Sequence, residues 1–234
     1  MTNHDHAEQF YRRHQQGTLV LPNAWDAASA AVMAAAGAVA VATTSSGISW
    51  SLGVPDGEHL QRSDVAAVVA RIVRAVNVPV TADVEAGYGP APSDVAATIA
   101  AVAKAGAVGA NLEDRPGPKG EVLWPVDQQC ERLAAGRAAA DRSGARFVLN
   151  ARTDVFLAAV GAAEEREGMV LARAEAYRQA GADCLFVPGL IDLEVIARLV
   201  TRCPLPLNIM LAPGRGPSIA QLTAAGVRRI SVGH

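Results

Sequence analysis

The sequence is poor in aromatic residues, cysteine, long apolar runs and net charge, and each shortage excludes something. Aromatic residues make up 4% of the 234 positions, while alanine supplies about a fifth of the chain, well above ordinary globular usage. A core of small side chains suits helices lying close on a sheet. The three cysteines, Cys130, Cys184 and Cys203, are odd in number and widely spaced. They exclude a disulfide framework and a paired-cysteine metal site, and they point to a reducing, cytoplasmic setting. No apolar stretch reaches the ~18 residues of a membrane span, and the polar start Met1 to His6 is not a signal peptide. A soluble protein with no membrane partner is expected. With 21 basic against 23 acidic residues and a formal net charge of −2, there is no basic field for nucleic acid or an anionic membrane.

What the chain does contain is a repeated joint. Ala36-Gly37-Ala38, Ala105-Gly106-Ala107, Ala180-Gly181-Ala182 and Ala225-Gly226-Val227 each close an alanine-rich, helix-like stretch and precede a short apolar run. Glycine just past a helix end accepts the left-handed conformation there, and the run that follows is the length of a buried strand. Two further joints use proline, at Val78-Pro79 and Cys203-Pro204. With Thr18 to Leu21 and Arg146 to Asn150, eight strands alternate with helices whose start signals include Asp26, Asp64, Asp94, Asp127 and Ser218. At roughly 25 to 35 residues per unit this is the cadence of a (β/α)8 TIM barrel. The rival doubly wound sheet lacks its glycine fingerprint at the first turn, Pro22 to Asp26. Residues 1–234 read as one barrel domain, with 1–17 a leading helix outside it. Only Gly233-His234 follow the last strand, so the closing eighth helix is expected to be missing from this chain.

Barrel chemistry sits at the C-terminal ends of the strands. There the sequence places Asn23, the turn Thr44-Ser45-Ser46-Gly47, Asp83 and Glu85, Asn111, Glu113 and Asp114, Asn150, Arg152 and Asp154, and Asn208. Asp83 and Glu85, two apart on a strand, are expected to point the same way, whereas only Glu113 of the adjacent Glu113-Asp114 pair faces them. Carboxylates with no histidine beside them suit Mg2+ or Mn2+, which take oxygen ligands and keep several waters. The five histidines are given no role. Arg152 can pair two donors with a substrate carboxylate, and the Ser45-Ser46-Gly47 turn can offer N–H groups to an oxyanion. The blander readings are a solvated Asp-x-Glu loop, a weak surface pair between Arg152 and Asp154, cysteines that only pack, and Trp25 and Trp124 as rim packing. Convergence of four consecutive strand ends on one job favours the site.

The segments Thr44-Ser45-Ser46-Gly47-Ile48, Leu52-Gly53-Val54-Pro55-Asp56, Asp83-Val84-Glu85-Ala86-Gly87-Tyr88-Gly89, Asn111-Leu112-Glu113-Asp114 and Ala151-Arg152-Thr153-Asp154 together resemble the isocitrate lyase / phosphoenolpyruvate mutase superfamily. The resemblance implies a TIM barrel, Mg2+, and a 2-oxo acid or related small carboxylate whose C–C or P–C bond changes through an enolate-like state. It implies Asp83 as direct metal ligand, with Asp56, Glu85 and Glu113 holding metal-bound waters. Ser45, Ser46 and Gly47 then bind the substrate carboxylate and keto oxygen, Arg152 anchors the carboxylate, and Asn208 makes a polar substrate contact. It also implies a homo-oligomer, dimer or tetramer. Two departures stand out. The stretch Arg115 to Glu121 carries no cysteine where the lyases have a Lys-x-Cys-Gly loop, and only Lys119 could stand in for the mutase residues. Glu85 replaces the commoner aspartate. The expected activity is C–C cleavage of a 2-oxo or 2-hydroxy acid. The alternatives are a phosphonate P–C mutase or hydrolase, and a 2-oxo acid binding protein weak in catalysis.

Overall fold

The computed structural model describes residues 2–116, 122–212 and 214–233, and the stretch containing Lys119 lies outside them. Helix α1 (Asn3–Gln15) is followed by β1 (Leu19–Leu21), β2 (Asn23–Ala24), α2 (Ala27–Ala35), β3 (Val41–Thr43), α3 (Ser45–Ser51) and α4 (Arg62–Ala75). A regular alternation then runs through β4 (Val80–Asp83), α5 (Pro92–Lys104), β5 (Gly109–Glu113), α6 (Val126–Asp141), β6 (Val148–Arg152) and α7 (Arg166–Gln179). It ends with β7 (Cys184–Val187), α8 (Leu193–Arg202), β8 (Leu207–Met210), α9 (Ile219–Ala224) and β9 (Arg229–Ser231). All strands pair in parallel, in the order β1-β9-β8-β7-β6-β5-β4-β3-β2.

This is the expected TIM-barrel architecture with one correction: the single first strand is two. Pro22 has no N–H to donate to a ladder. Its carbonyl accepts from Ala42 N–H at 3.0 Å, while that of Leu21 accepts from Val232 N–H at 3.2 Å. The chain thus leaves β9 for β3 at the proline, and the ring closes across the step.

The repeated joint behaves as its composition demands. Gly37, Gly106, Gly181 and Gly226 have φ between +90° and +101°. In each case the residue after the glycine donates back five residues into the helix, as from Ala38 to Met33 and from Ala107 to Val102. These are glycine-terminated helix ends that aim the chain back at the sheet. Asp26 and Ser218 cap their helices as expected. At α4 and α5 the acid stands one turn inside instead, where Asp64 and Asp94 accept from the N–H of Gln61 and Ala91.

The interior of the ring is layered. At the N-terminal mouth Leu19, Leu21, Ala40, Ala42, Val108 and Val148 form an apolar floor with Ala7 and Phe10 of α1. The leading helix is therefore a plug, correcting the view of it as standing outside the barrel. It also buries His14, whose Nδ1–H donates to the Phe10 carbonyl at 2.9 Å, leaving Nε2 facing Arg229. Above the floor lies a polar layer in which Asn111 Oδ1 accepts from Asn150 at 2.8 Å and from Arg229 at 2.9 Å. Two residues further along β5 and β6, on the same face by strand alternation, stand Glu113 and Arg152 at the C-terminal mouth.

Candidate active site

The C-terminal mouth holds a cavity of about 310 Å³ lined by Ser45, Asp56, Gly57, Glu85 and Glu113, and by Arg115, Pro116, Arg152, Asp154 and Leu157. Its size suits a small ligand, at the low end of ordinary binding pockets. The cavity brings together Ser45, Asp56, Glu85, Glu113, Arg152 and Asp154 of the residues that sequence reasoning singled out, whereas Asp83, Ser46 and Gly47 stand beside it without lining it. Arg115 and Leu157, which no motif flagged, also line it.

Glu113 and Arg152 are directly paired in register on neighbouring strands. Arg152 contacts Glu113 at 2.8 Å and grips Asp154 with two bonds of 2.7 and 2.9 Å. Asp154 is fully buried, so the weak surface pair considered from sequence is instead a buried fork. Burial works against the Arg152 charge, but Glu113 and Asp154 outweigh it and hold the guanidinium charged. Three of its five N–H groups are used in these contacts, which leaves two for a ligand.

Asp83 ends β4. Its Oδ2 accepts from Ser45 N–H and its Oδ1 from Glu85 N–H, both at 3.3 Å. The Ser45-Ser46-Gly47 segment is the first turn of α3 and not a free turn, a correction that places its backbone beside Asp83. Gly47 has no room for a side chain: a Cβ there would stand 2.7 Å from Thr44 Cγ2 and 2.9 Å from Trp25 Cβ.

Glu85 reaches the cavity by a route that strand alternation did not foresee. Its φ is +50°, and Gly87, Tyr88 and Gly89 also lie at positive φ, so the backbone leaves the strand in a tight left-handed path. Both Glu85 oxygens are held, Oε1 by the Tyr88 hydroxyl at 2.8 Å and Oε2 by Glu58 N–H at 2.5 Å. Burial pushes the Glu85 carboxyl up to about 7 despite those two donors, with Asp83 and Asp56 adding repulsion. Burial likewise raises Asp83, against the pull of Arg152. Glu113 is raised well above the usual range by burial, with Asp154, Asp83 and Glu85 adding to it.

Asp114 turns the other way, as expected of the neighbour of Glu113. Behind the barrel wall it accepts from Arg173 at 3.1 Å and from the Tyr177 hydroxyl at 2.8 Å, and its other oxygen holds Asp154 N–H at 3.0 Å. Asn208 is not brought to the cavity. It sits inside β8, fully buried, and exchanges hydrogen bonds with Ser231 at 3.1 and 3.2 Å. Met210 ends the strand, so Asn208 lies one layer below the mouth.

The donor set fits a hard divalent cation. It is oxygen-only and carries more carboxylates than arginines, and an added positive charge would oppose the burial and mutual repulsion that raise the Glu85 and Glu113 carboxyls. Among the described residues, no three such side chains are gathered into a ready cage.

Comparison with known proteins agrees with this geometry. Residues 10–234 match the phosphoenolpyruvate phosphomutase family model. A solved structure from Burkholderia cenocepacia J2315, provisionally described as a phosphonomutase, is 47% identical with a TM-score of 0.93, covering 98% of this chain and 93% of that one. The 2,3-dimethylmalate lyase of Eubacterium barkeri is 34% identical over 218 residues, 89% of this chain and 72% of its own. A phosphonopyruvate hydrolase solved with oxalate and Mg2+ has a TM-score of 0.86 at 25% identity, covering 100% of this chain and 81% of that one. The chain belongs to the phosphoenolpyruvate mutase / isocitrate lyase superfamily.

Proposed function

We propose that this protein is a Mg2+-dependent enzyme that cleaves a C–C bond in a small 2-oxo or 2-hydroxy carboxylic acid through an enolate-like intermediate. The observation that carries the reading is the cavity itself: buried carboxylates in excess over arginine, with Arg152 fixed by Asp154 and still holding two N–H groups for a ligand. Asp83 would hold the metal directly, with Asp56, Glu85 and Glu113 holding its waters. When bound, Mg2+ supplies the Lewis-acid charge that favours an enolate over its keto form.

The chain's own groups do the rest. Arg152 binds and orients the substrate carboxylate, and the Asp154 fork fixes the plane of its guanidinium. The first turn of α3 sets Ser45, Ser46 and Gly47 beside Asp83, where backbone N–H groups favour developing negative charge. Glu85, with its carboxyl pushed by burial up to about 7, is a cavity group able to carry a proton near neutral pH, and burial moves Glu113 in the same direction.

A second reading is phosphonate P–C chemistry, favoured by the 47% identity to the protein described as a phosphonomutase. The test is a turnover panel with Mg2+ in which 2-oxo and 2-hydroxy acids, 2,3-dimethylmalate among them, run beside phosphonopyruvate. Release of a 2-oxo acid or other C–C fragment supports lyase chemistry. Turnover of phosphonopyruvate alone replaces it with the second reading. Tight binding of these acids with no turnover of any overturns both, in favour of a binding protein.

A further inference from the structure

Arg132, on α6, is outside the cavity, yet it is among the most deeply buried charges in the protein, at 1% exposure. No carboxylate lies within ion-pair distance of it among the described residues. Its guanidinium instead donates to three backbone carbonyls: Gly89 at 3.0 Å, and Ala86 and Pro90 by still shorter contacts. The Trp124 ring covers it, 4.8 Å away. Nε is buried without a partner. Glu58 and Asp94 favour its charge only from beyond ion-pair distance, and a buried cation with an unmet donor and no direct ion pair is a poor device for stability alone, because desolvation outweighs what such contacts return.

The carbonyls show what it is for. The segment 85–90 is the left-handed path that carries Glu85, and of its carbonyls that of Glu85 pairs with a strand, accepting from Glu113 N–H of β5 at 2.9 Å. Side chains hold the five that follow: Thr98 holds the Gly87 carbonyl at 2.7 Å, Arg62 holds that of Tyr88 at 3.3 Å, and Arg132 takes those of Ala86, Gly89 and Pro90. Within the segment, Gly87 N–H donates to Val84 and Tyr88 N–H to Glu58 Oε1 at 2.6 Å. Tyr88 and Glu58 are in turn the groups that hold the two oxygens of Glu85. Release of the Ala86, Gly89 and Pro90 carbonyls would let the backbone relax from positive φ and would turn Glu85 away from the cavity.

We propose that Arg132 is a positioning residue that locks the 85–90 segment and thereby aims the Glu85 carboxylate into the cavity. The inference rests on the reading of that cavity as a metal site. The test uses full-length, EDTA-treated protein and four forms: wild type, Arg132→Gln, Arg132→Lys and Arg166→Gln. Arg166 also binds backbone carbonyls, those of Ala159, Val160 and Gly161, but on a segment that does not hold Glu85. Two quantities are read: Mn2+ affinity by electron paramagnetic resonance, and amide exchange of Gly87 and Tyr88 in metal-free protein. Arg132→Gln should weaken Mn2+ binding by roughly 10- to 100-fold, as loss of an outer positioning contact does, and should speed exchange at least about tenfold at both amides. Arg132→Lys, with one donor head and no planar fork, should fall between, and Arg166→Gln should bind Mn2+ as wild type does. Wild-type affinity or wild-type exchange in Arg132→Gln overturns the proposal, and so does equal weakening in Arg166→Gln. If Arg132→Gln fails to fold, wild-type Mn2+ affinity in Arg132→Lys overturns it. Failure of the wild type itself to bind Mn2+ refutes the metal reading instead, and loop exchange then decides the role of Arg132 separately.

Discussion

Substitution His14→Gln should remove an acid-sensitive element from the floor of the barrel. His14 is buried against Phe10 of its own helix and Arg229 of β9, and burial, helped by the Arg229 charge, holds its imidazole down at about 3. The sign follows from the direction of the shift. An unfolded chain takes up the proton near pH 6.5 and the folded one only near 3, so stability is full above about 6.5 and is lost progressively as pH falls between them. The slope approaches 1.4 kcal/mol per pH unit, and the loss between pH 6.5 and 4.5 comes to roughly 2.3 kcal/mol. Other groups titrate over the same range: the raised carboxyl of Glu85 gives the opposite slope, so the wild-type curve alone is not diagnostic. The difference between wild type and His14→Gln isolates the histidine, since glutamine can still donate to the Phe10 carbonyl and face Arg229 while neutral. Urea unfolding at half-unit steps from pH 4.5 to 7.5 measures it. The difference should be flat above pH 6.5 and should close by roughly 2–3 kcal/mol by pH 4.5. Parallel curves throughout would refute the burial of a neutral His14 under Arg229.

Two further substitutions probe the supports of the mouth. Gly47→Ala forces a methyl group against Thr44 and Trp25, so it should destabilise by about 1–3 kcal/mol in thermal unfolding and weaken oxalate binding by displacing the first turn of α3. Asp114→Ala leaves Arg173 buried without its anion and frees Asp154 N–H, so it should cost about 3–5 kcal/mol by urea unfolding although Asp114 does not line the cavity.

The four Ala-Gly joints were legible because a helix end followed by a strand leaves a local mark: one small residue that must take positive φ. The choice of Glu113 over Asp114 was legible for a similar reason, since strand alternation assigns neighbours to opposite faces. The split of the first strand was not, because Pro22 interrupts an apolar run without saying which neighbour each half pairs with. Glu85 reached the site through a left-handed path that the strand pattern cannot announce, and Asn208 fell one layer short because β8 runs on to Met210. Arg132 left no signal at all. Its partners are backbone carbonyls 42 to 46 positions away, and a carbonyl has no residue type.

The central claim is that the acidic cavity joins a divalent cation to a small acid, and calorimetric titration of oxalate into EDTA-treated protein, with and without Mg2+, tests it most directly. Oxalate should bind at least about tenfold more tightly with Mg2+ present, a coupling of about 1.4 kcal/mol or more, and Asp83→Ala should abolish the difference. Oxalate affinity indifferent to Mg2+, or a coupling that survives in Asp83→Ala, would contradict the account.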